Sequence, residues 1–307
     1  MELGYFRWAG RKGILDKPNA RSSHQEPTIR GGGIIFLFAA LAWFIYSGFE
    51  WPWFFVGLCG VAIISFLDDQ RPQSGLLRFF IHLVSMMLLF YQVPMLDWPV
   101  LLLGSALIIS IGSLSAFNFM DGINGITGIY ALVTLSTFIL IHERIAPFTD
   151  PGLVITLVMA VLIFLFFNFR KKAVCFAGDV GSVVLAFVQI FLLLQLIQKT
   201  QYLGWVLLVL VFGIDSVLTI VYRLSRKENI FKPHRTHLYQ YLANEWGWDH
   251  RLIAILYGAC QILINTMAVI SFQFNHLWLI WVTGFMSASF YLVIRLQVSS
   301  SIKQAAK

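Results

Sequence analysis

Four aspartates stand in short polar stretches that interrupt an otherwise apolar chain. Asp68 and Asp69 end the run "AIISFLDD", Asp121 begins "DGING", and Asp179 lies in "FAGDVGS". An ionised side chain beside an apolar segment of membrane-spanning length is costly, and it is usually functional or paired. Carboxylates that converge from several loops suit Mg²⁺, which binds one or two of them together with waters and substrate phosphates. The alternative is that neighbouring cations neutralise these aspartates as structural ion pairs.

Glycines adjoin two of these aspartates, in the pairs Asp121-Gly122 and Gly178-Asp179. Glycine permits close approach of the backbone, and each pair directly precedes a predicted helix whose N-terminus can hold an anion. Taken alone, such a dipeptide is more often a simple turn. Together with the aspartates, the glycines favour a site for phosphate groups.

A basic stretch near the last third of the chain, "HRTHLYQ", places His234, Arg235 and His237 close together. Arginine and imidazolium groups are suited to donate hydrogen bonds to diphosphate oxygens. The alternative is an interfacial segment whose cations snorkel towards water. Carboxylates for a metal and a basic clamp at a membrane surface together suggest phosphoryl transfer to or from a lipid.

The elements that must position these residues are membrane spans. The chain has 307 residues, 58% of them hydrophobic and 12% charged, with a mean hydropathy of +0.77. These values exclude an ordinary soluble domain. The apolar runs lack the alternation of a β-barrel, so we predict a single all-α integral membrane domain over residues 1–307, a polytopic bundle of about ten transmembrane helices. The predicted spans are about 33–50, 51–67, 76–93, 99–116, 123–141, 152–168, 181–198, 203–222, 252–272 and 276–296.

The loops between these spans fall into two sets of different character. All but two of the 22 lysines and arginines lie on one face, the exceptions being Arg144 and Lys199. By the positive-inside rule that face is cytoplasmic, so the net charge of +7 reflects topology rather than nucleic-acid binding. The same face receives all the polar stretches described above. We therefore predict a cytoplasmic active site formed by the loops 11–32, 68–75, 117–125, 168–182 and 223–250.

These stretches, in this order, resemble the polyprenyl-phosphate N-acetylhexosamine-1-phosphate transferases. That family includes the bacterial muramyl-pentapeptide translocase and the initiators of O-antigen and teichoic acid synthesis. The matches are a PTxxGG-like loop at residues 27–32, the double aspartate, the N-x-x-D-G-x-[DN]-G word at 118–125, the F-x-G-D-x-G-S word at 176–182 and the basic loop. Asp215 also matches an aspartate that the family often carries in the span before that loop.

The resemblance implies transfer of an N-acetylhexosamine 1-phosphate from a UDP-sugar to undecaprenyl or another polyprenyl phosphate, with release of UMP. It implies an Mg²⁺ cofactor, with Mn²⁺ as a substitute, bound by Asp179 and Asp69. The residues that it marks as catalytic are Asp68, Asp69, Arg235 and His237. The residues that it marks as substrate-binding are Arg30, Asn118, Asp121, Asn124, Phe176 and His234, with Phe176 stacked on uracil.

The departures from the family pattern narrow the prediction. Tyr239 and Gln240 replace two histidines of the basic loop, which favours the O-antigen and capsule branch over a peptidoglycan substrate. Asn124 stands where other members often have aspartate.

The family's span before the PTxxGG-like loop has no counterpart here, so we expect the true start to lie upstream or an eleventh helix to be absent. We expect a multi-pass protein of the bacterial inner membrane, and a homodimer.

Two alternatives stay open from the sequence. The acceptor phosphate is mostly dianionic at neutral pH, since its second pKa is near 6. That favours direct attack on phosphorus, but a covalent aspartyl-phosphate intermediate is not excluded.

The alternative from another functional class is a transporter whose intramembrane acids carry ions or protons. Against it, the acids other than Asp215 lie at one face, and the spans show no obvious inverted repeat.

Overall fold

The structure is a computed structural model that describes residues 1–18, 22–230, 232 and 234–305. Residues 19–21 of the predicted first loop, Phe231 and Pro233 of the basic loop, and Lys307 of the charge count lie outside the described residues. The helices are α1 Glu2–Lys12, α2 Ile34–Tyr46, α3 Pro52–Gln70, α4 Gly75–Gln92, α5 Val100–Met120, α6 Ile126–Arg144, α7 Pro151–Asn168, α8 Gly178–Thr200, α9 Leu210–Ser225, α10 Leu238–Asn244, α11 His250–Gln273 and α12 Trp278–Ala305. A 3₁₀ helix, Leu203–Val209, leads into α9.

Within the described residues, nine helices are long and apolar enough to cross a membrane, counting α9 together with its 3₁₀ lead-in. The remaining predicted span, 33–50, corresponds to α2, which has 13 residues and is therefore only about 20 Å long. Every predicted span thus contains an apolar helix. The prediction of an all-α polytopic membrane protein is confirmed.

The first loop contains structure that the sequence did not predict. The strands β1 Leu15–Asp16 and β2 Thr28–Ile29 pair antiparallel. The ring of Phe6 in α1 packs edge-on against Phe167, with 5.1 Å between the ring centroids. The α1 helix therefore lies against the end of α7, on the side of the bundle where the polar loops are.

The central element of the bundle is α8. Its sequence is apolar on all sides, as expected for a helix surrounded by other helices. Each of its residues from Gly178 to Ile197 is buried except Asp179. The packing of the whole bundle therefore fixes the position of this one partly exposed carboxylate.

Glycines bring the start of α2 against the start of α8. A Cβ atom on Gly181 would lie 2.7 Å from the Cα of Gly33, so a larger residue has no room there. The backbone of the "GGG" stretch also pairs with the segment before α8, since the Gly32 amide donates to the Phe176 carbonyl at 2.9 Å. This contact brings Arg30 next to Asp179.

Candidate active site

The polar loops surround a cavity of about 280 Å³ at one end of the bundle, which we call the first cavity. It adjoins a second cavity of about 450 Å³. Pockets that hold small ligands are typically about 300–1,000 Å³. The first cavity is lined by Asp16, Ser22, Ser23, His24, Arg30, Asn118, Asp121, Gly122, Ile123, Asn124, Asn168, Phe176, Gly178, Asp179, Ser182, His234, Gln240 and His250.

Asp69 is buried beneath this cavity, with no exposed surface on its side chain. One carboxylate oxygen accepts the Asp179 amide at 2.9 Å, and the other accepts the Val180 amide at 3.1 Å. The first oxygen also pairs with Arg30 Nε at 2.7 Å. Both oxygens are thus engaged by the N-terminus of α8 and by a cation. These contacts favour a positioning role for Asp69, and its role as a metal ligand stays a prediction.

Asp179 points from the start of α8 into the first cavity, and 16% of its side chain is exposed. Arg30 Nη2 donates to Asp179 Oδ1 at 2.8 Å, so Arg30 bridges the carboxylates of Asp69 and Asp179. Burial opposes the charge of Arg30, but the two carboxylates outweigh it and raise the pKa of the guanidinium above its usual value. Arg30 is therefore a permanent cation in the wall of the cavity.

Asp68 faces a different way from its neighbour Asp69. Its Oδ2 accepts from Arg78 Nη1 at 2.8 Å, and its Oδ1 accepts from the Gln73 amide at 2.6 Å. Asp68 and Asp179 share the cation Arg78, whose Nη1 is 2.8 Å from Asp68 Oδ2 and 3.8 Å from Asp179 Oδ2. The structure thus places the predicted catalytic Asp68 beside Asp179, on the α4 side.

Asn118 and Asp121 stand at the end of α5 and line the first cavity. Asn118 is within hydrogen-bonding reach of Asp179, and Asp121 accepts from Thr127 Oγ1 at 2.7 Å. Burial raises the pKa of Asp121 to about 7, because it disfavours the charged carboxylate. The loop after α5 therefore adds an amide and a second acidic group opposite Asp179.

Asn124 is almost fully buried, at 4% exposure. Its side-chain amide donates to the carbonyls of Arg170 and Lys171 at 2.8 and 3.2 Å. A carboxylate cannot donate to carbonyls, so the departure from aspartate at this position has a structural reason. Asn124 still lines both cavities, as the predicted contact to a nucleotide requires.

Phe176 lies where the two cavities meet and lines both. Its ring packs edge-on against His24, with 4.8 Å between the ring centroids. The second cavity is lined by Ser23, His24, Gln25, Glu26, Pro27, Thr28, Asn124, Lys171, Lys172, Ala173, Phe176, Trp248, Asp249 and His250. Phe176 is thus accessible for the predicted contact with a planar base.

The three basic residues of the "HRTH" stretch have three different surroundings. His234 lines the first cavity, and its Nδ1 is 3.0 Å from Thr236 Oγ1. Arg235 pairs with Glu245 at 2.6 Å and is absent from the described linings of both cavities. His237 is buried, at 2% exposure, with Nδ1 3.0 Å from Asp215 Oδ1. Only His234 therefore faces the site directly.

The charge of His234 differs from the prediction. Burial, followed by the nearby charge of His237, lowers the pKa of His234 to about 4. The side chain is therefore a neutral imidazole near pH 7 and not the imidazolium that we predicted. Its hydrogen bond with Thr236 leaves Nε2 as the nitrogen available to a ligand.

His237 belongs to a buried network that holds this loop in place. Asp215 accepts from Tyr257 at 2.6 Å and from the Leu238 amide at 3.3 Å, in addition to its contact with His237. Arg295 of α12 donates to the Thr236 carbonyl at 2.9 Å. Asp215, the acid that the transporter alternative could use, is thus tied to the basic loop.

A third opening lies between α4 and α5, and we call it the α4/α5 groove. Its volume is about 150 Å³. It is lined by Ser65, Gly75, Arg78, Phe79, His82, Ile111, Leu114, Ser115, Asn118, Phe119, Asp179 and Val183. Asn118 and Asp179 line this groove and the first cavity alike. The two spaces therefore meet at the Asp179 carboxylate.

Comparison with known proteins bears on this arrangement. A model of the family described as "Glycosyl transferase family 4" matches residues 51–197, which include Asp68, Asp121 and Asp179. The matched residues, just under half of the chain, are similar to glycosyl transferase family 4 and support the prediction made from the motifs.

Three relatives extend the similarity over most of the chain. The probable undecaprenyl-phosphate N-acetylglucosaminyl 1-phosphate transferase of Bacillus subtilis (strain 168) is 24% identical, over 96% of this chain and 86% of the relative. The undecaprenyl-phosphate alpha-N-acetylglucosaminyl 1-phosphate transferase of Escherichia coli (strain K12) is 25% identical, over 89% and 80%. The phospho-N-acetylmuramoyl-pentapeptide-transferase of Thermotoga maritima is 24% identical, over 80% and 85%.

The carboxylate and amide oxygens around the first cavity are of the kind that Mg²⁺ prefers in proteins. Among the described residues, no group of three or more His, Cys, Asp or Glu side chains is arranged to hold a metal ion. Mg²⁺ needs no such cage, because it takes one or two carboxylates and completes its shell with waters and phosphates. Asp179 is the carboxylate of the Asp69–Asp179 pair that reaches the cavity.

Several residues that line the cavities were not predicted from the sequence. His24 and His250 stand far apart in the chain, and each is a lone histidine without a spacing signal. Asn168 accepts the Gly125 amide at 2.7 Å and donates to the Cys175 carbonyl at 2.8 Å. Asn168 is a polar residue that ends an apolar span on the predicted cytoplasmic face. This position was the one feature of the sequence that could have indicated its place at the site.

Proposed function

We propose that this multi-pass membrane protein transfers an N-acetylhexosamine 1-phosphate from a UDP-sugar to a polyprenyl phosphate and releases UMP. The observation that carries the proposal is the meeting of two different spaces at Asp179 and Asn118. The first cavity is polar and suits a nucleotide, whereas the α4/α5 groove has apolar walls that suit a prenyl chain. Similarity to undecaprenyl-phosphate N-acetylglucosaminyl 1-phosphate transferases supports the same reaction.

The proposed reaction is a direct displacement at phosphorus. An oxygen of the acceptor phosphate forms a bond to the sugar-linked phosphorus of the UDP-sugar. The bond from this phosphorus to the bridging oxygen breaks, and UMP leaves with that electron pair. The products are polyprenyl-diphospho-sugar and UMP. No protein nucleophile is required, since the acceptor phosphate is already mostly dianionic at neutral pH.

The side chains contribute charge and orientation to this step. Asp179 would hold Mg²⁺, which supplies positive charge to the diphosphate when bound. Arg30 and Arg78 balance the converging carboxylates, at 2.8 and 3.8 Å from Asp179. Asp68 orients the acceptor from the α4 side, and Phe176 packs on the base. In this scheme His234 donates from a neutral imidazole to the UDP-sugar.

The location and pathway of this activity follow from the same scheme. We propose that the site faces the cytoplasm of a bacterium at its inner membrane, since the cations cluster on that face. The reaction would be the first membrane step of O-antigen, capsule or other cell-envelope glycan synthesis.

The test is a measurement of UMP. Purified protein in detergent is incubated with Mg²⁺, undecaprenyl phosphate and a panel of UDP-N-acetylhexosamines that includes GlcNAc, GalNAc and 6-deoxy derivatives. We expect UMP with at least one sugar and none in EDTA. The same signal with and without EDTA, or no UMP with any sugar, contradicts the proposal.

Omission of the acceptor separates the two chemical routes. Direct attack predicts no UMP without polyprenyl phosphate. Release of about one UMP per protein molecule under that condition would demonstrate a covalent intermediate instead.

A further inference from the structure

We propose that His82 on α4 binds the phosphate head group of the lipid acceptor, together with Arg78 one helical turn earlier. This inference rests on the proposed function, because it assigns the place of one of its two substrates. No feature of the amino-acid sequence singled out His82, which lies within an apolar span.

His82 lines the α4/α5 groove, and its Nε2 is buried without a hydrogen-bond partner among the described residues. Buried polar atoms in proteins are nearly always hydrogen-bonded, so an unpaired one at the wall of a cavity indicates a missing partner. An imidazole can donate an N–H to a phosphate oxygen in its neutral and in its protonated form. A phosphate bound in the groove would satisfy this nitrogen.

The neighbours of His82 give the groove the character of a lipid phosphate site. Arg78 and His82 are four residues apart, so they lie on the same side of α4. Arg78 Nη1 is 3.8 Å from Asp179 Oδ2, which connects this side of α4 to the proposed reaction centre. Phe79, Leu114 and Val183 supply apolar walls. A prenyl chain fits such walls, whereas free inorganic phosphate gains nothing from them.

The orientation of this subsite agrees with direct displacement. The acceptor oxygen must approach the sugar-linked phosphorus from the side opposite UMP. The α4/α5 groove and the first cavity share Asn118 and Asp179 and are otherwise lined by different residues. A phosphate held by Arg78 and His82 therefore lies across the carboxylate from the nucleotide.

The experiment measures the KM values of both substrates in full-length protein in detergent. His82→Leu removes the donor, and His82→Gln restores an N–H at a reach similar to Nε2. Met87→Leu is the matched control, because Met87 lies on the same helix and is 41% exposed. We expect His82→Leu to raise the KM for polyprenyl phosphate about tenfold, as for one charge-assisted hydrogen bond, without a change for the UDP-sugar. We expect His82→Gln and Met87→Leu to stay close to the wild type.

Competition distinguishes the lipid head group from phosphate itself. Farnesyl phosphate should inhibit competitively against polyprenyl phosphate, and this inhibition should weaken in His82→Leu. Inorganic phosphate should inhibit far less. Equal inhibition by both would overturn the assignment to a lipid.

Each outcome separates this inference from the proposed function. A wild-type protein that releases no UMP contradicts the function itself. An active wild type with an unchanged lipid KM in His82→Leu contradicts only the role of His82, and equal changes in both KM values indicate general distortion. If His82→Leu does not fold, His82→Asn replaces it, since asparagine is polar but too short to reach the position of Nε2.

Discussion

Asp69 caps the helix that carries Asp179, with its Oδ1 2.9 Å from the Asp179 amide nitrogen. A carboxylate at a helix N-terminus is stabilised by the partial positive charge there, whereas at the C-terminus of its own helix it is repelled. Asp69 lies at the C-terminus of α3, and its side chain contacts the N-terminus of α8. The Asp69 carboxylate is repelled by the C-terminus of α3. The positive N-terminus of α8 and the Arg30 guanidinium compensate for this repulsion.

Asp69→Asn tests this anchoring role. The variant keeps the shape of the side chain but loses the charge that pairs with Arg30, and its NH₂ group faces a backbone amide. Breaking a buried ion pair costs about 3 kcal/mol or more, so we expect the unfolding temperature and kcat to fall together. Thermal unfolding in detergent and UMP release measure the two effects. Asp97→Asn, at an exposed position outside the site, serves as control. An unchanged unfolding temperature with lost activity would return Asp69 to the metal site.

Asp179→Asn should have a different profile. Asp179 pairs with Arg30 but points into the cavity and accepts no capping amides, so its replacement should lower the unfolding temperature less than Asp69→Asn does. We expect turnover to fall at least about a thousandfold, because a metal-holding carboxylate supplies several kcal/mol to phosphoryl transfer. UMP release across a Mg²⁺ titration measures this loss. Near-normal turnover would remove Asp179 from the proposed metal site.

The lowered pKa of His234 predicts a pH dependence of stability. The folded protein binds the proton less tightly than the unfolded chain, whose histidines titrate near pH 6.5. The contribution of neutral His234 to the free energy of unfolding is therefore fully present above about pH 6.5. It is lost as the pH falls towards about 4.

We expect the unfolding temperature to fall further between pH 7.5 and pH 5 in the wild-type protein than in His234→Gln. Thermal unfolding at the two pH values measures the difference. His276→Gln, which changes an exposed histidine, should follow the wild type. Parallel curves for the wild type and His234→Gln would contradict the neutral imidazole.

Arg295 should support activity from outside the cavity. Its guanidinium donates to the Thr236 carbonyl and to Tyr291 Oη at 2.6 Å, and it lies 4.3 Å from the ring centroid of Tyr222. Lysine cannot make these contacts together, because it lacks the planar fork of donors. We expect Arg295→Lys and Arg295→Gln to lower kcat at least about tenfold through displacement of His234, with a lower unfolding temperature.

The control for Arg295 is Arg226→Gln, which removes an exposed arginine from the same loop region. It should retain full activity. Equal activity in the Arg295 and Arg226 variants would show that α12 does not position the basic loop.

The sequence predicted that the aspartates lie together on one face. The structure shows that residues within one cluster have different surroundings. Alternate loops of a helical bundle share a face, so the aspartates after α3 and α5 and before α8 could be grouped from topology alone. The roles of Asp68 and Asp69 could not be separated, because neighbours on a helix point about 100° apart and the register depends on packing against α8. For "HRTH" there was no periodicity to use. Its division into a cavity residue, a surface ion pair and a buried anchor follows from contacts with α9 and α12.

The α1 helix was missed for a related reason. It has only 11 residues and no sustained apolar run, so nothing in its pattern distinguishes it from a loop. Its Tyr5 hydroxyl nevertheless donates to the Arg30 carbonyl at 2.7 Å. Short amphipathic segments of this kind acquire their structure from the surface on which they lie.

The burial of α8 has a consequence for the membranes in which this protein can work. Bilayers differ in thickness, and spanning helices that contact lipid adapt to a mismatch by tilting. The lipid-facing helices, such as α5 and α12, would take up that adjustment, whereas α8 contacts its neighbouring helices along nearly its whole length. The position of the Asp179 carboxylate at its tip should therefore depend less on bilayer thickness than the positions of residues on lipid-facing helices, such as Asn118 on α5.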